Sequence, residues 1–181
     1  MSADVHELVD PTAQVRRRRP LAAGLSPDSD GTILLVDGML NKAGDWGRGI
    51  LDAAERVLTP HFPRARFARL DLNPLATTPA DLWADATAGR CDAVVVTAGD
   101  CITCTSRGAR NAIAMEARDV PAAIICTDAV EDVVTAVCEA SGTDDMHRVL
   151  LHESLFGRSR DDIASIVEPA LSHLPAALHR R

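Results

Sequence analysis

DAVVVTAGDCITCTSRGARNAIAMEARDVPAAIICTDA, residues 92–129, is the stretch from which the fold can be read. Its first apolar run, residues 93–96, is short and β-branched, as expected of a strand covered on both faces. The run stops at Gly99-Asp100. Small hydroxyl residues follow (Thr103, Thr105, Ser106) that can cap a helix, and Ile113, Met115 and Ala117 among Arg110, Glu116 and Arg118 continue it. A second buried strand then carries Cys126. Cys101 and Cys104 are therefore expected where a strand hands over to a helix N-terminus. Unpaired amide N–H groups and the helix dipole stabilise a thiolate there. Two intervening residues let the sulfurs meet, so a disulfide can form and reopen, which makes the pair a redox-motif candidate.

The flanking sequence repeats this alternation. Residues 32–36 (TILLV) read as a first buried strand ending at Asp37-Gly38. After the loop GMLNKAGDWG comes GILDAAERVLTPHF, whose Ile50, Leu51, Ala54, Val57 and Leu58 recur at helical spacing until Pro60 and Pro63 close it. ARFARLDL alternates enough for a strand near a sheet edge. TPADLWADATAG offers a short helix with Thr78 as N-cap, Pro79 at the first helical position and Gly89 at the end. Residues 128–141 read as a fourth helix ended by Gly142, HRVLLHE as a short fifth strand, and the last segment as a closing helix interrupted at Pro169 and Pro175. Strands alternating with helices imply an α/β fold, a three-layer doubly wound parallel sheet of flavodoxin-like or Rossmann-like kind with about five strands. Residues 1–30 read as an irregular arm and residues 31–181 as a single α/β domain.

Acidic residues outnumber basic ones, 26 to 19, for a net charge of −7, which argues against a general nucleic-acid partner. The arginine run at residues 16–19 reads as a solvated or subunit-crossing arm. No apolar run approaches membrane-spanning length and the N-terminus lacks the apolar core of a secretion signal, so a cytoplasmic location is expected. Five cysteines in a reducing compartment do not form a structural disulfide framework. Neither a Walker-type loop nor GxGxxG follows the first strand, and Cys101 and Cys104 have no second ligand pair, so no nucleotide, metal or other cofactor is expected.

In a doubly wound sheet, ligands bind beyond the carboxyl ends of the strands. Those ends deliver Asp37, Asn41 and Lys42 after strand one and Asp100, Cys101 and Cys104 after strand three. Strand four adds Cys126, Thr127 and Asp128, and strand five adds His152 and Glu153. The catalytic candidates are Cys101, Cys104, Cys126, His152 and Asp128. Substrate-binding candidates are Asn41, Lys42, Asp100, Thr105, Ser106, Arg107 and Thr127. Lys42 and Arg107 suit an anionic group, and His152 can exchange protons near neutral pH. Bland readings stand beside these: Asp100 and Asp128 as helix caps, Cys126 as a core residue, and Cys91 and Cys138 as structural.

The stretch GDCITCTSRGARNAIAMEARDVPAAIICTDA resembles the UGSC-motif family of prokaryotic proteins, named for a selenocysteine-Gly-Ser-Cys sequence in which cysteine often replaces selenocysteine. Gly99, Asp100, Cys101, Cys104, Thr105, Ser106, Cys126, Thr127 and Asp128 stand in matching places. The DPT at residues 10–12, Asp37-Gly38, Asn41 and His152 agree more loosely. Ile102 and Thr103 stand where the family has Gly and Ser. The resemblance implies that Cys101 occupies the selenocysteine position as a nucleophilic or redox chalcogen, with Cys104 as its resolving partner. The leading expectation is a cysteine-dependent enzyme acting on a small-molecule substrate, with a thiol reductant as partner. A cysteine-assisted lyase or hydratase using His152 or Asp128, and a redox-sensing or scaffold subunit of a hetero-oligomer, are the alternatives. CITCTS is also similar to the Cys-x-x-Cys-Ser-Cys metal loop of nitrile hydratases, but Ser106 replaces its third cysteine. A homo- or hetero-oligomer is expected, with a homodimer as the default.

Overall fold

The structure, a computed structural model, describes residues 20–39, 46–72, 78–143, 146–155 and 157–179. Asn41, Lys42, the DPT at 10–12 and the arginine run at 16–19 lie outside the described residues. Buried β-branched runs and amphipathic segments alternate along the chain. They form β1 (Thr32–Asp37), α1 (Trp46–Leu58), β2 (Arg66–Asp71), α2 (Ala80–Thr87), β3 (Ala93–Gly99) and α3 (Ile102–Glu116). β4 (Ala122–Thr127), α4 (Glu131–Ser141), β5 (His147–Leu151), α5 (Arg160–Val167) and α6 (Leu174–Leu178) follow.

All five strands pair in parallel in the order β2-β1-β3-β4-β5. Right-handed crossovers wind outward in both directions from β1 and β3, so α1 and α5 cover one face and α2, α3 and α4 the other. This is the flavodoxin-like version of the doubly wound α/β fold, with its switch point between β1 and β3.

The period-2 alternation of strand side chains divides the core between two layers. Ile33, Leu35, Val95 and Ile125 pack under Ile50 and Leu58 of α1 and Ile163 of α5. Val36, Val94, Val96 and Ile124 face Trp83 of α2, Met115 of α3 and Val134 of α4. Each of these large side chains contributes about 1.5–3 kcal/mol by leaving water. β2 is the exposed edge, as its alternation suggested. Arg69 on it pairs with Asp52 and Glu55 of α1, which places charge on an edge open to other strands.

Four local readings differ from expectation. α1 starts at Trp46, inside the segment read as a loop, and its Gly47 and Gly49 serve close approach. A Cβ on Gly47 would run into the Asp37 carboxylate, and one on Gly49 would lie 2.9 Å from the Arg160 carbonyl. Thr78 does not cap α2; Pro79 is the N-cap and no side chain caps that end. Pro169 does break the closing helix, but Pro175 sits in the first turn of α6 and begins a helix. The N-cap of α3 is Cys101, not Asp100 or a hydroxyl residue.

Residues 20–31 are irregular but tied to the body. The Ala22 N–H donates to Glu116 Oε2 at 2.6 Å, and the Leu25 N–H to the Leu178 carbonyl at 2.7 Å. Glu116 is itself buried at the end of α3, and its Oε1 accepts from the Ala122 N–H at 2.7 Å where β4 begins. One carboxylate thus joins arm, helix and sheet. No helix among the described residues is long and apolar enough to cross a membrane.

Candidate active site

β3 is buried throughout and ends in an irregularity: its register with β4 shifts between Thr97 and Gly99, and Gly99 has φ +54°. That left-handed conformation suits glycine, and the bulge re-aims the chain out of the sheet. Asp100 and Cys101 are the next two residues, at the edge of the β1/β3 switch point. There the Gly38 N–H donates to the Thr97 carbonyl at 3.1 Å. A Cβ on Gly38 would lie only 2.6 Å from the same oxygen, so this close approach needs glycine.

Cys101 and Cys104 are joined by a disulfide with Cα atoms 5.1 Å apart. Cys101 is extended (φ −94°, ψ 113°), and its Sγ accepts from the Cys104 N–H at 3.2 Å, the bond that serine or aspartate oxygen makes at most helix starts. The two sulfurs differ in access: Cys101 is partly exposed, whereas Cys104 is 1% exposed and packs in the layer beneath α3. An attacking group therefore meets Cys101 first.

The segment after β5 closes over this turn. His152 Nδ1 lies 3.2 Å from Asp128 Oδ2, linking the ends of β5 and β4. Two residues on, Ser154 Oγ donates to Asp100 Oδ2 at 3.2 Å and links the segment to the residue before Cys101. Asp128 therefore has a histidine partner in place of a capping role, since α4 begins at Glu131 after a 3-10 turn. Asp128 holds Nδ1 of the exposed His152 ring, and Nε2 lies outside that contact.

The remaining candidates lie as follows. Cys126 ends β4 opposite Gly99, fully buried, and its thiol is pushed up to about 11, mainly by burial and against the opposing pull of Arg148. Thr105 and Thr127 are also buried, and neither Oγ1 has a hydrogen-bond partner among the described residues. Ser106 is half-buried on the α4 side of α3 and lines a groove there. Arg107 turns the other way, donating from Nη2 to the Thr78 carbonyl at 3.4 Å. Glu153 is exposed and pairs with Arg158 at 3.5 Å. Cys91 and Cys138 are buried and outside any disulfide.

Two further residues belong to this rim: Asp37, which the sequence placed at the end of strand one without a role, and Ser154. Asp37 is a buried carboxylate at the end of β1, and its Oδ1 accepts from the Met39 N–H at 3.0 Å. Its signal was the Asp-Gly pair after a buried strand. Ser154 had no signal, because a serine in a loop differs from any other until the partner across the fold is seen.

Fold and site together define a flavodoxin-like α/β protein with a Cys-x-x-Cys disulfide at the strand-to-helix turn beside its switch point. The UGSC family model matches residues 7–180, nearly the whole chain, and the protein belongs to that family. No curated protein matches it.

Proposed function

We propose that the protein is a cysteine-dependent enzyme that reduces a small molecule carrying an electrophilic sulfur or carbon. The observation that carries the proposal is the unequal access of a bonded pair, with Cys101 at the surface of the α3 N-terminus and Cys104 enclosed behind it. In the dithiol form, the Cys101 thiolate attacks the electrophilic centre of R–X. A bond forms from Sγ to R, and X departs with its bonding pair. Cys104 then attacks Cys101 Sγ, closing the disulfide. R leaves with the former S–R pair and takes up a proton; where R is bonded through carbon, a carbonyl or similar group beside that carbon must stabilise the departing carbanion. Two electrons pass from the dithiol to the substrate, and an external dithiol returns them by thiol–disulfide exchange. Its attack falls on Cys101, the accessible sulfur.

The remaining groups support this chemistry. Amide N–H groups at the α3 N-terminus stabilise the Cys101 thiolate and an anionic part of the substrate. His152, oriented by Asp128, supplies or takes the proton. Cys126, protonated and buried, serves as a wall of the site.

The experiment is a pair of substitutions followed by intact-protein mass spectrometry. Cys101→Ser abolishes turnover with a thiol donor, and Cys104→Ser accumulates a Cys101–R adduct. Full activity in Cys101→Ser would remove the proposal. The His152–Asp128 contact favours a second reading, in which Cys101 adds to an activated substrate and His152 moves protons without net redox change. Turnover with no thiol donor present would select it.

A further inference from the structure

Helices α3 and α4 lie side by side on one face of the sheet and leave a groove of about 480 Å³ between them. Its apolar lining includes Ile102 from α3 and Val133, Ala136 and Val137 from α4. Ile102 is 65% exposed, one of two large hydrophobic side chains so exposed among the described residues. Small residues along the groove, Ala136 above all, leave room for another helix to approach closely. The surface continues past Arg110 into a second recess of about 330 Å³ that Ile113 and Ala117 help to line.

The charges on this face identify an occupant. Arg110 on α3 and Asp132 on α4 both line the groove, and both are exposed. Among the described residues neither side chain makes an ion pair or hydrogen bond. They do not meet each other, because they sit at different heights. Arg110 lies eight residues beyond Ile102, about 12 Å along α3, whereas Asp132 is in the first turn of α4. One unpaired cation and one unpaired anion, offset along a shared groove, are complementary to their own image across a two-fold axis. An unrelated partner would have to present the opposite charges at the same spacing; a second copy does so by symmetry.

We propose that a second copy of this chain docks on the α3–α4 groove. The helices run antiparallel across the axis, Arg110 of each copy pairs with Asp132 of the other, and Ile102 and Val133 are buried between them. Each copy carries a net charge of −7, so long-range repulsion opposes association and these two local pairs set the register. The interface begins one residue after Cys101, so dimerisation walls one side of the Cys-x-x-Cys turn. The proposal stands apart from the redox chemistry.

The test is sedimentation equilibrium of the full chain across micromolar concentrations. Wild type is expected to be a dimer. Arg110→Glu and Asp132→Arg each weaken it at least about tenfold, because every reversal occurs twice per dimer and puts like charges together. The double variant Arg110→Glu/Asp132→Arg restores the pairs in reversed sense and returns the dissociation constant to within about threefold of wild type. Ala136→Glu, at an exposed position with no fold to disturb, also weakens the dimer. Circular dichroism checks that each variant is folded. A wild type that stays monomeric, a dimer indifferent to the single reversals, or a double variant that fails to regain the dimer each overturns the proposal.

Discussion

Replacing Gly99 by alanine tests the turn that delivers Asp100 and Cys101. Two costs arise from the structure. The residue has φ +54°, and holding an L side chain in that left-handed region costs about 1–2 kcal/mol. The new Cβ would also lie 2.5 Å from Met39 Cε and 3.3 Å from its Sδ, and Met39 is 3% exposed, so the thioether must be displaced within packed surroundings. Overpacking of this kind costs about 1–3 kcal/mol. Alanine recovers roughly 0.4–1 kcal/mol by restricting the unfolded chain. The net loss is about 3 kcal/mol, which for a chain of this length lowers Tm by roughly 6–12 °C. Equilibrium urea unfolding measures it, with an unchanged slope showing that the folded and unfolded states are otherwise the same. A Met39→Ala background separates the two costs. There the added methyl has space, Gly99→Ala retains only the backbone cost of about 1 kcal/mol, and the coupling is about 2 kcal/mol. An equal cost in both backgrounds, or less than about 0.5 kcal/mol in wild type, would refute the account of this turn.

The buried Glu116 carboxylate accepts backbone N–H groups from Ala22 and Ala122, so Glu116→Ala is expected to cost about 3 kcal/mol in urea unfolding; a loss below about 1 kcal/mol would deny it that role. Limited proteolysis of the same variant should show earlier cleavage near residue 22. The free thiols of Cys91 and Cys126 are each pushed from 9.0 up to about 11, chiefly by burial, with Asp92 adding to the shift at Cys91. Raised pKa values mean that the unfolded chain releases these protons first, so the stability they confer is complete below pH 9 and is lost as pH rises towards 11. The fully buried Cys126 thiol accounts for up to roughly 3 kcal/mol of that loss and the less enclosed Cys91 thiol for less. Cys126→Ala should therefore flatten the alkaline fall in the urea midpoint, and an unchanged fall would show that Cys126 ionises freely in the folded protein.

The strands were the most legible part of the sequence, because burial on both faces demands continuous apolar runs and the turns were marked by Asp-Gly and Gly-Asp pairs. The exposed edge was legible in the alternation of β2. Helix ends were harder: apolar periodicity did not mark the start of α1, where Gly47 and Gly49 lie because another part of the chain passes too close for a side chain. At the site, the Cys-x-x-Cys spacing placed both cysteines correctly at the start of α3. The sequence offered four oxygen-bearing residues nearby as caps, whereas the capping atom is the Cys101 sulfur. His152 and Asp128 were each visible at a strand end, but their pairing depends on β5 lying beside β4, which no local pattern encodes. Ser154 was invisible for the same reason. Its partner, Asp100, lies 54 residues away.

The most direct test of the central claim is alkylation of the reduced, folded protein at neutral pH, followed by peptide mapping, and then reoxidation of an unalkylated sample. Cys101 should react first and by a wide margin, Cys91 and Cys126 should stay unmodified while the fold persists, and the Cys101–Cys104 disulfide should re-form and reopen with an added dithiol. If Cys101 reacts no faster than the buried thiols, or the disulfide does not re-form once reduced, the pair is structural and the redox mechanism is wrong.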